Sequence, residues 1–173
     1  SDYTWSLPPL VQGRSVFFAA INRGKKSVAL DLRDPSGSAL FLDLLGTADV
    51  LLEGFKPGTL ARSGLAPVQL QARFPRLVIC SLSGYGQTGP LALEPGHDLN
   101  YQGLAGIVAA DGRGGAWPVQ VADLAGGALT AALAICASLV GRERGGQGQL
   151  LDISMTEGAL ALMAPHLAMA TAE

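Results

Sequence analysis

Apolar segments that favour β-strands alternate with segments that favour helices over the first half of the chain. Strands are predicted at Ser27–Leu32, Asp49–Leu52 and Arg76–Leu82, which are rich in Val, Ile and Leu. Helical segments and short turns separate them. This alternation predicts an α/β fold with a Rossmann-like, mostly parallel sheet flanked by helices.

The helix between the first two strands has a recognisable start. Asp34 is a good N-cap, and Pro35 suits the first helical position, so a helix is predicted from there to about Thr47. Its apolar face is expected to consist of Leu40, Phe41, Leu44 and Leu45.

The second half contains a long apolar segment that begins after Asp123. Leu124–Gly141 carries no charge, and its length would allow it to cross a membrane. It consists largely of Ala and Gly, however, and we therefore expect a buried helix of a soluble protein. A strand at Gln149–Ile153 and a terminal helix are predicted to follow.

The composition narrows the possible partners. The 173 residues are 49% hydrophobic with a net charge of −2, which predicts one domain and gives no reason to expect nucleic acid or a membrane as a partner. Ser1–Leu10 does not resemble a signal peptide. Cys80 and Cys136 lie in apolar runs and are expected to be buried, reduced thiols of a cytoplasmic protein, and no metal-ligand spacing is present.

Charged and aromatic residues follow the predicted strands. Arg33, Lys56 and Tyr85 come after the first, second and third strand, so they are candidates to line one edge of the sheet and meet phosphates and a flat base. The alternative is that Arg33 and Lys56 are ordinary solvated charges. The glycine-rich loop at 83–90 matches no nucleotide-binding fingerprint.

One imidazole and one carboxylate occur in glycine-flanked, turn-like settings. His97 follows Gly96, and Asp123 precedes a segment that starts Leu-Ala-Gly-Gly. Two such groups could remove a proton from one face of a carbon and return it to the other. Taken alone, each residue is more simply explained as a helix cap.

Four separated segments, in this order, resemble the family III CoA-transferase and α-methylacyl-CoA racemase family. They are residues 22–32, 53–58, 75–90 and 146–155, and the resemblance runs from about residue 5 to residue 163. It implies that residues 1–173 form a single, incomplete version of the family's large domain. It also implies an acyl-CoA substrate and an interlocked homodimer.

The sequence Gly-His-Asp-x-Asn-Tyr resembles the racemase branch, which implies that His97 and Asp123 are the acid/base pair. No prosthetic group is implied, only the coenzyme A moiety of the substrate. The resemblance places CoA contacts at Leu30, Asp31, Leu32, Arg33, Lys56, Arg62, Gly96, Asp98, Leu99, Asn100 and Tyr101.

Two alternatives stay open. In the transferase branch, the residue that matches Asp123 is a nucleophile that carries acyl and CoA groups, and the chain would move CoA between carboxylic acids. The third possibility is a non-catalytic remnant that binds CoA or a partner chain. His97 favours the racemase.

A thioester makes its α-hydrogen acidic, so racemisation needs a base, an opposing acid and donors for the enolate oxygen. A histidine side chain can act as either the acid or the base near neutral pH. Asp123 would need a raised pKa, for which apolar neighbours are the expected cause. First-turn amides of the helix after His97, including that of Asp98, are the expected enolate donors.

The family pattern is longer than this chain at both ends. The opening strand, an arginine near the CoA phosphates and a glutamate that supports the histidine all have no match in these residues. We therefore expect a truncated family member, with little or no activity in the isolated 173-residue chain.

Overall fold

The computed structural model describes residues 2–112 and 118–172. By its internal contacts the chain divides into two compact units, Ser1–Asp31 and Leu32–Glu173. Each unit is described separately, and the expectation of a single domain stays a prediction.

The first unit contains a short 3-10 helix, a small hairpin and one helix. The 3-10 helix is Tyr3–Ser6, the antiparallel strands are β1 (Leu10–Val11) and β2 (Arg14–Ser15), and the helix is α1 (Val16–Ile21). The rings of Trp5 and Phe18 stack with centroids 4.3 Å apart.

The second unit is built on a three-stranded parallel sheet. Its strands are β3 (Val50–Glu53), β4 (Val78–Ser83) and β5 (Leu150–Ser154), in the order β3-β4-β5. The helices are α2 (Pro35–Leu45), α3 (Thr59–Arg62), α4 (Pro67–Arg73), α5 (Asp98–Leu104), α6 (Ile107–Asp111), α7 (Thr130–Glu143), α8 (Met155–Leu162) and α9 (Ala164–Ala170). The predicted α/β class and parallel sheet are confirmed.

The central strand β4 is the most deeply buried element. Val78, Ile79 and Cys80 are at most 1% exposed. A parallel strand covered on both faces needs a continuous apolar run, which the sequence supplies here. Ile79 joins a cluster that also contains Leu45, Leu60 and Leu70.

A buried arginine ties together the amino ends of the strands. The Arg142 guanidinium, at the end of α7, donates to the carbonyl of Arg76 at 3.0 Å and to Asp49 Oδ1 at 2.9 Å. Asp49 immediately precedes β3, and Arg76 lies two residues before β4. These bonds fix the amino edge of the sheet and leave the opposite edge to the loops that follow the strands.

Helix α2 begins as predicted, with the Asp34 carboxylate accepting the N–H groups of Ser36 and Gly37. Its predicted apolar face is only partly right. Leu45 is buried and Phe41 and Leu42 pack against the same cluster, whereas Leu40 and Leu44 are about half exposed. The helix is rotated relative to the prediction, because the spacing of leucines alone leaves two overlapping apolar faces.

The segment Ser27–Leu32 does not form the predicted strand. Residues 25–31 have no regular secondary structure, and Val28 is 62% exposed. β-branched residues favour a strand only where a neighbouring strand accepts their backbone hydrogen bonds, and no strand pairs with this segment in the described residues.

The long apolar segment is helical but not buried as predicted. The helix spans Ala122–Glu143, and 22% of its apolar window is buried. Leu129, Leu133 and Val140 are 67%, 72% and 53% exposed. By length and composition it is the one helix in the described residues that could cross a membrane, a test that core helices of soluble proteins also pass.

The start of this helix has a local geometry that the sequence did not indicate. Ala122–Leu129, here called the π segment, is π-helical and runs directly into α7. π-helical turns are rare and occur mostly at functional sites.

Cys80 is buried as predicted, and burial raises the pKa of its thiol to about 11. Cys136 is exposed on α7, so the prediction that both thiols are buried is wrong for Cys136. The apolar run around it belongs to a helix face that this chain leaves uncovered.

Two glycines allow the π segment and α8 to approach closely. A Cβ at Gly126 would lie 2.6 Å from both the Ala159 nitrogen and the Met155 oxygen. A Cβ at Gly158 would collide with the backbone of Gly126. Both obstacles are backbone atoms, so the contact cannot be relieved by moving a side chain.

We predict that Gly158→Ala destabilises the chain by about 1–3 kcal/mol, as overpacking does in a close contact. Gly141→Ala is the matched control, since Gly141 lies in exposed α7 with no atom within 4 Å of a new Cβ. It should stabilise by about 0.5–1 kcal/mol through helix propensity. Urea unfolding measures both, and equal effects of the two substitutions would contradict the close contact.

Candidate active site

The site is centred on the first turn of α5. His97 is the N-cap of this helix and is exposed, and its backbone N–H donates to the Asn100 side-chain oxygen at 3.0 Å. The Asn100 N–H donates to the His97 carbonyl at 2.8 Å. These reciprocal bonds fix the backbone at His97 and leave its imidazole at the surface of the turn.

The Asp98 carboxylate caps the helix that carries Asp123. Asp98 Oδ1 accepts the backbone N–H groups of Ala122 at 2.8 Å and Asp123 at 3.0 Å. First-turn N–H groups have no partner within their own helix, so a carboxylate there is stabilising. One residue, adjacent to His97 in the chain, therefore brings Asp123 to the start of α5.

Asp123 lies in the first turn of the π segment, whose N-cap is Val121. The prediction that Asp123 is a helix cap is therefore wrong. Its side chain is partly buried, and Oδ1 is a buried atom without a hydrogen-bond partner among the described residues. Burial raises the pKa of Asp123, the negative charge of Asp98 raises it further, and the charge of His97 lowers it. The hydrogen bond from the Asp123 N–H to Asp98, the residue after His97, brings the segments of His97 and Asp123 together.

Two tyrosines form the wall beside these groups. The rings of Tyr85 and Tyr101 meet edge to face with centroids 5.0 Å apart, and Tyr101 is 7% exposed. A Cβ at Gly96 would lie 2.6 Å from the Tyr101 ring and 2.7 Å from the Tyr85 hydroxyl. Glycine is therefore required before His97 to admit both rings. Burial raises the pKa of the Tyr101 phenol, and the charges of Tyr85 and Asp123 act in the same direction.

A cavity of about 290 Å³ opens at the carboxyl edge of the sheet. It is lined by the ends of β3 and β4, by Tyr85 and by Tyr101. Lys56 and Glu94 supply charges, and Phe55, Leu82 and Met155 supply apolar surface. Ligands of open parallel sheets bind outside this edge, as expected from the loops.

The structure brings together some of the predicted site residues. Lys56, Gly96 and Tyr101 line the cavity. His97 and Asp98 follow Gly96 directly, and Asn100 is bonded to the His97 backbone. Leu99 is 52% exposed on the first turn of α5.

Other residues predicted to contact CoA are not among those that line this cavity. Arg62 is exposed and donates to Thr59 Oγ1 at 2.8 Å, and Leu32 packs against the cluster around Leu45. Arg33 is exposed and does not line the cavity. Leu30 and Asp31 belong to the first unit, where Leu30 lines a cavity of about 860 Å³.

Two residues of the site, Gln102 and Met155, were not predicted from the sequence. Gln102 is 1% exposed, and its Nε2 donates to Asp98 Oδ2. The spacing of four residues from Asp98 on one helix face would have indicated this pair. Met155, at the start of α8, lines the cavity without any sequence signal beyond its apolar character.

The glycine loop after β4 is anchored to the start of α8. The Gly84 carbonyl accepts the Thr156 N–H at 3.0 Å and the Thr156 hydroxyl at 2.8 Å. Asp152 accepts the Gln87 N–H at 3.1 Å, so this carboxylate holds the loop. The described ranges contain no group of three His, Cys, Asp or Glu residues that could hold a metal ion.

The family model described as CoA-transferase family III matches residues 2–173. Acetyl-CoA:oxalate CoA-transferase from Acetobacter aceti is 40% identical over 94% of this chain and 43% of its own length. α-Methylacyl-CoA racemase from Homo sapiens is 43% identical over 80% of this chain and 37% of its own length.

A solved CaiB/BaiF family protein from Brucella suis superposes with a TM-score of 0.90 and 34% identity, covering all of this chain and 48% of that protein. The chain thus spans about two fifths of the length of these curated relatives and about half of this solved structure. The relatives include both racemases and transferases. On the match of the family model to residues 2–173, the chain belongs to the CoA-transferase family III.

Proposed function

We propose that the chain carries the acid/base pair of an acyl-CoA racemase, which removes and returns the α-proton of a 2-methylacyl-CoA thioester. The observation that carries this proposal is the unpartnered, buried Oδ1 of Asp123 beside His97. A carboxylate oxygen without a donor is free to accept a proton, and its raised pKa makes it a better base than an exposed aspartate.

The chemistry requires two groups and one electron sink. One group takes the α-proton, and the electrons of the C–H bond move into the thioester carbonyl to give an enolate. The other group donates a proton to the opposite face of the same carbon. The backbone N–H of Asp98, in the first turn of α5, is the proposed donor to the enolate oxygen.

The cavity at the sheet edge is the proposed site of the CoA moiety. Lys56 is placed there to meet a phosphate, and Tyr85 and Tyr101 to contact flat or apolar groups. The homodimer implied by the family resemblance and the cytoplasmic location expected from the cysteines belong to the same proposal.

A family III CoA-transferase is the second candidate, because a transferase is among the relatives at 40% identity. A partly desolvated Asp123 carboxylate would then be the nucleophile. It would attack the thioester carbonyl, expel CoA thiolate and form a mixed anhydride. Hydroxylamine traps that anhydride and does not trap an enolate.

The direct test is solvent exchange in the complete protein. A 2-methylacyl-CoA in D₂O, with no second carboxylic acid, should acquire deuterium at its α-carbon. A substrate that acquires no deuterium, together with a hydroxylamine-sensitive adduct on Asp123, would instead establish the transferase. Heat of CoA binding without exchange or adduct would instead support the non-catalytic remnant.

We predict that His97→Gln and Asp123→Asn each lower racemisation about 100-fold or more, the usual loss when one acid/base group is removed. Each variant should retain exchange with the enantiomer whose α-proton faces the remaining base, so their residual enantiomer preferences should be opposite. His166→Gln and Asp43→Asn are matched controls on exposed helix positions. Identical residual preferences would contradict a two-base site.

The pH dependence of exchange should report the environment of Asp123. Proton abstraction by Asp123 requires its ionised form, so the rate should fall as the pH drops through the raised pKa of this carboxyl. This decline should therefore lie above the ordinary aspartate value of 3.8. Exchange from the appropriate enantiomer, followed by mass spectrometry, measures it, and a decline centred at or below 3.8 would be contrary evidence.

Asp123→Asn should also raise stability at neutral pH. Because the folded state raises the pKa of Asp123, ionisation of this carboxyl opposes folding, and the opposition is absent where Asp123 is protonated in both states. The gain over the parent protein should thus shrink as the pH falls through the raised pKa of Asp123 and be absent below 3.8. Urea unfolding at both pH values tests this, with exposed Asp43→Asn expected to give no gain at either.

A further inference from the structure

Gln102 is a fully buried polar side chain to which the chemistry above assigns no role. It is 1% exposed on α5, and its Oε1 has no hydrogen-bond partner in the described part of the chain. Its Nε2 donates to Asp98 Oδ2. A buried amide that satisfies only one of its ends costs stability, so its place beside the site calls for a functional explanation.

Both carboxylate oxygens of Asp98 accept hydrogen bonds from within the protein. Oδ2 is held by Gln102, and Oδ1 accepts the N–H groups of Ala122 and Asp123. Its hydrogen bonds all point into the protein, toward the helix that carries one proposed base. Through the chain it adjoins the other, His97.

We propose that Gln102 and Asp98 are a positioning pair for the proton exchange: Gln102 orients the Asp98 carboxylate, and Asp98 holds the first turn of the π segment so that Asp123 lies beside His97. This inference rests on the proposed function. Neither side chain needs to touch the substrate, since Gln102 is buried and the Asp98 carboxylate acts through the backbone of Asp123.

The pair also sets the charge around Asp123. The charges that shift the pKa of Asp123 are those of Asp98 and His97, and Asp123 in turn raises the pKa of Tyr101. From the other side α8 packs Gly158 and Ala159 against the π segment, and its titratable side chain, Glu157, is exposed. Asp98 is thus the negative charge that offsets the influence of His97.

Asp98→Asn separates charge from geometry. The new amide oxygen can still accept the two backbone N–H groups, and the Gln102 amide can turn so that its unpartnered oxygen accepts the new N–H. We expect a folded protein in which the decline of exchange on the acid side moves to lower pH. Asp98→Ala, which removes the cap as well, should lower kcat about tenfold or more with KM little changed, because misplaced groups lose rate rather than binding.

Gln102→Leu tests the orienting role, and Gln71→Leu is its matched control. Gln71 is also a half-satisfied amide, with a buried, unpartnered Oε1 and an Nε2 that donates to the Leu77 carbonyl at 3.1 Å, but it lies on α4. Both variants should lose thermal stability. Only Gln102→Leu should lower kcat, by about tenfold, with an unchanged KM.

The outcomes separate the two proposals. Suppose that His97→Gln and Asp123→Asn abolish racemisation, but Asp98→Asn leaves the pH profile unchanged and Gln102→Leu has the same kcat as Gln71→Leu. The positioning pair is then overturned, and the proposed function stands. If His97→Gln and Asp123→Asn retain full racemisation, the proposed function fails first. A shifted profile together with a kcat loss confined to Gln102→Leu supports both.

Discussion

The arrangement of the site depends on two hydrogen bonds that one carboxylate oxygen, Asp98 Oδ1, accepts from the backbone N–H groups of Ala122 and Asp123. They join α5 to the helix that follows a separate loop, across 25 residues of sequence. Without them the first turn of the π segment would have unsatisfied donors near an apolar wall. With them, His97 and Asp123 become neighbours, and Asp123 experiences a second negative charge.

The two edges of the sheet serve different purposes. At the amino edge, buried Arg142 binds the chain before β3 and β4. At the carboxyl edge, glycines let Tyr101 and Tyr85 close around the cavity, and the contact of Gly126 with Gly158 brings α8 against the π segment. Rigid packing at the amino edge supports the strands, whose carboxyl ends hold partly desolvated polar groups in place.

The alternation of strands and helices was sufficient to predict the parallel sheet, and Asp34 with Pro35 was sufficient to predict the start of α2. The strand predicted at Ser27–Leu32 is wrong because no strand pairs with this segment in the described residues. The burial predicted for Cys136 is wrong because its apolar neighbours belong to an exposed helix face. The proposed acid/base residues followed from the family resemblance. The Asp98 cap that joins their segments is a tertiary contact, and no local pattern reports which carboxylate caps a helix 25 residues away.

The most direct measurement is an NMR titration of the Asp123 side-chain carboxyl carbon in the complete protein. If Asp98 holds this group partly desolvated beside His97, its midpoint lies above the ordinary value of 3.8 and moves down when Asp98 is replaced by asparagine. A midpoint at or below 3.8 in the parent protein, unchanged by that replacement, would contradict the account.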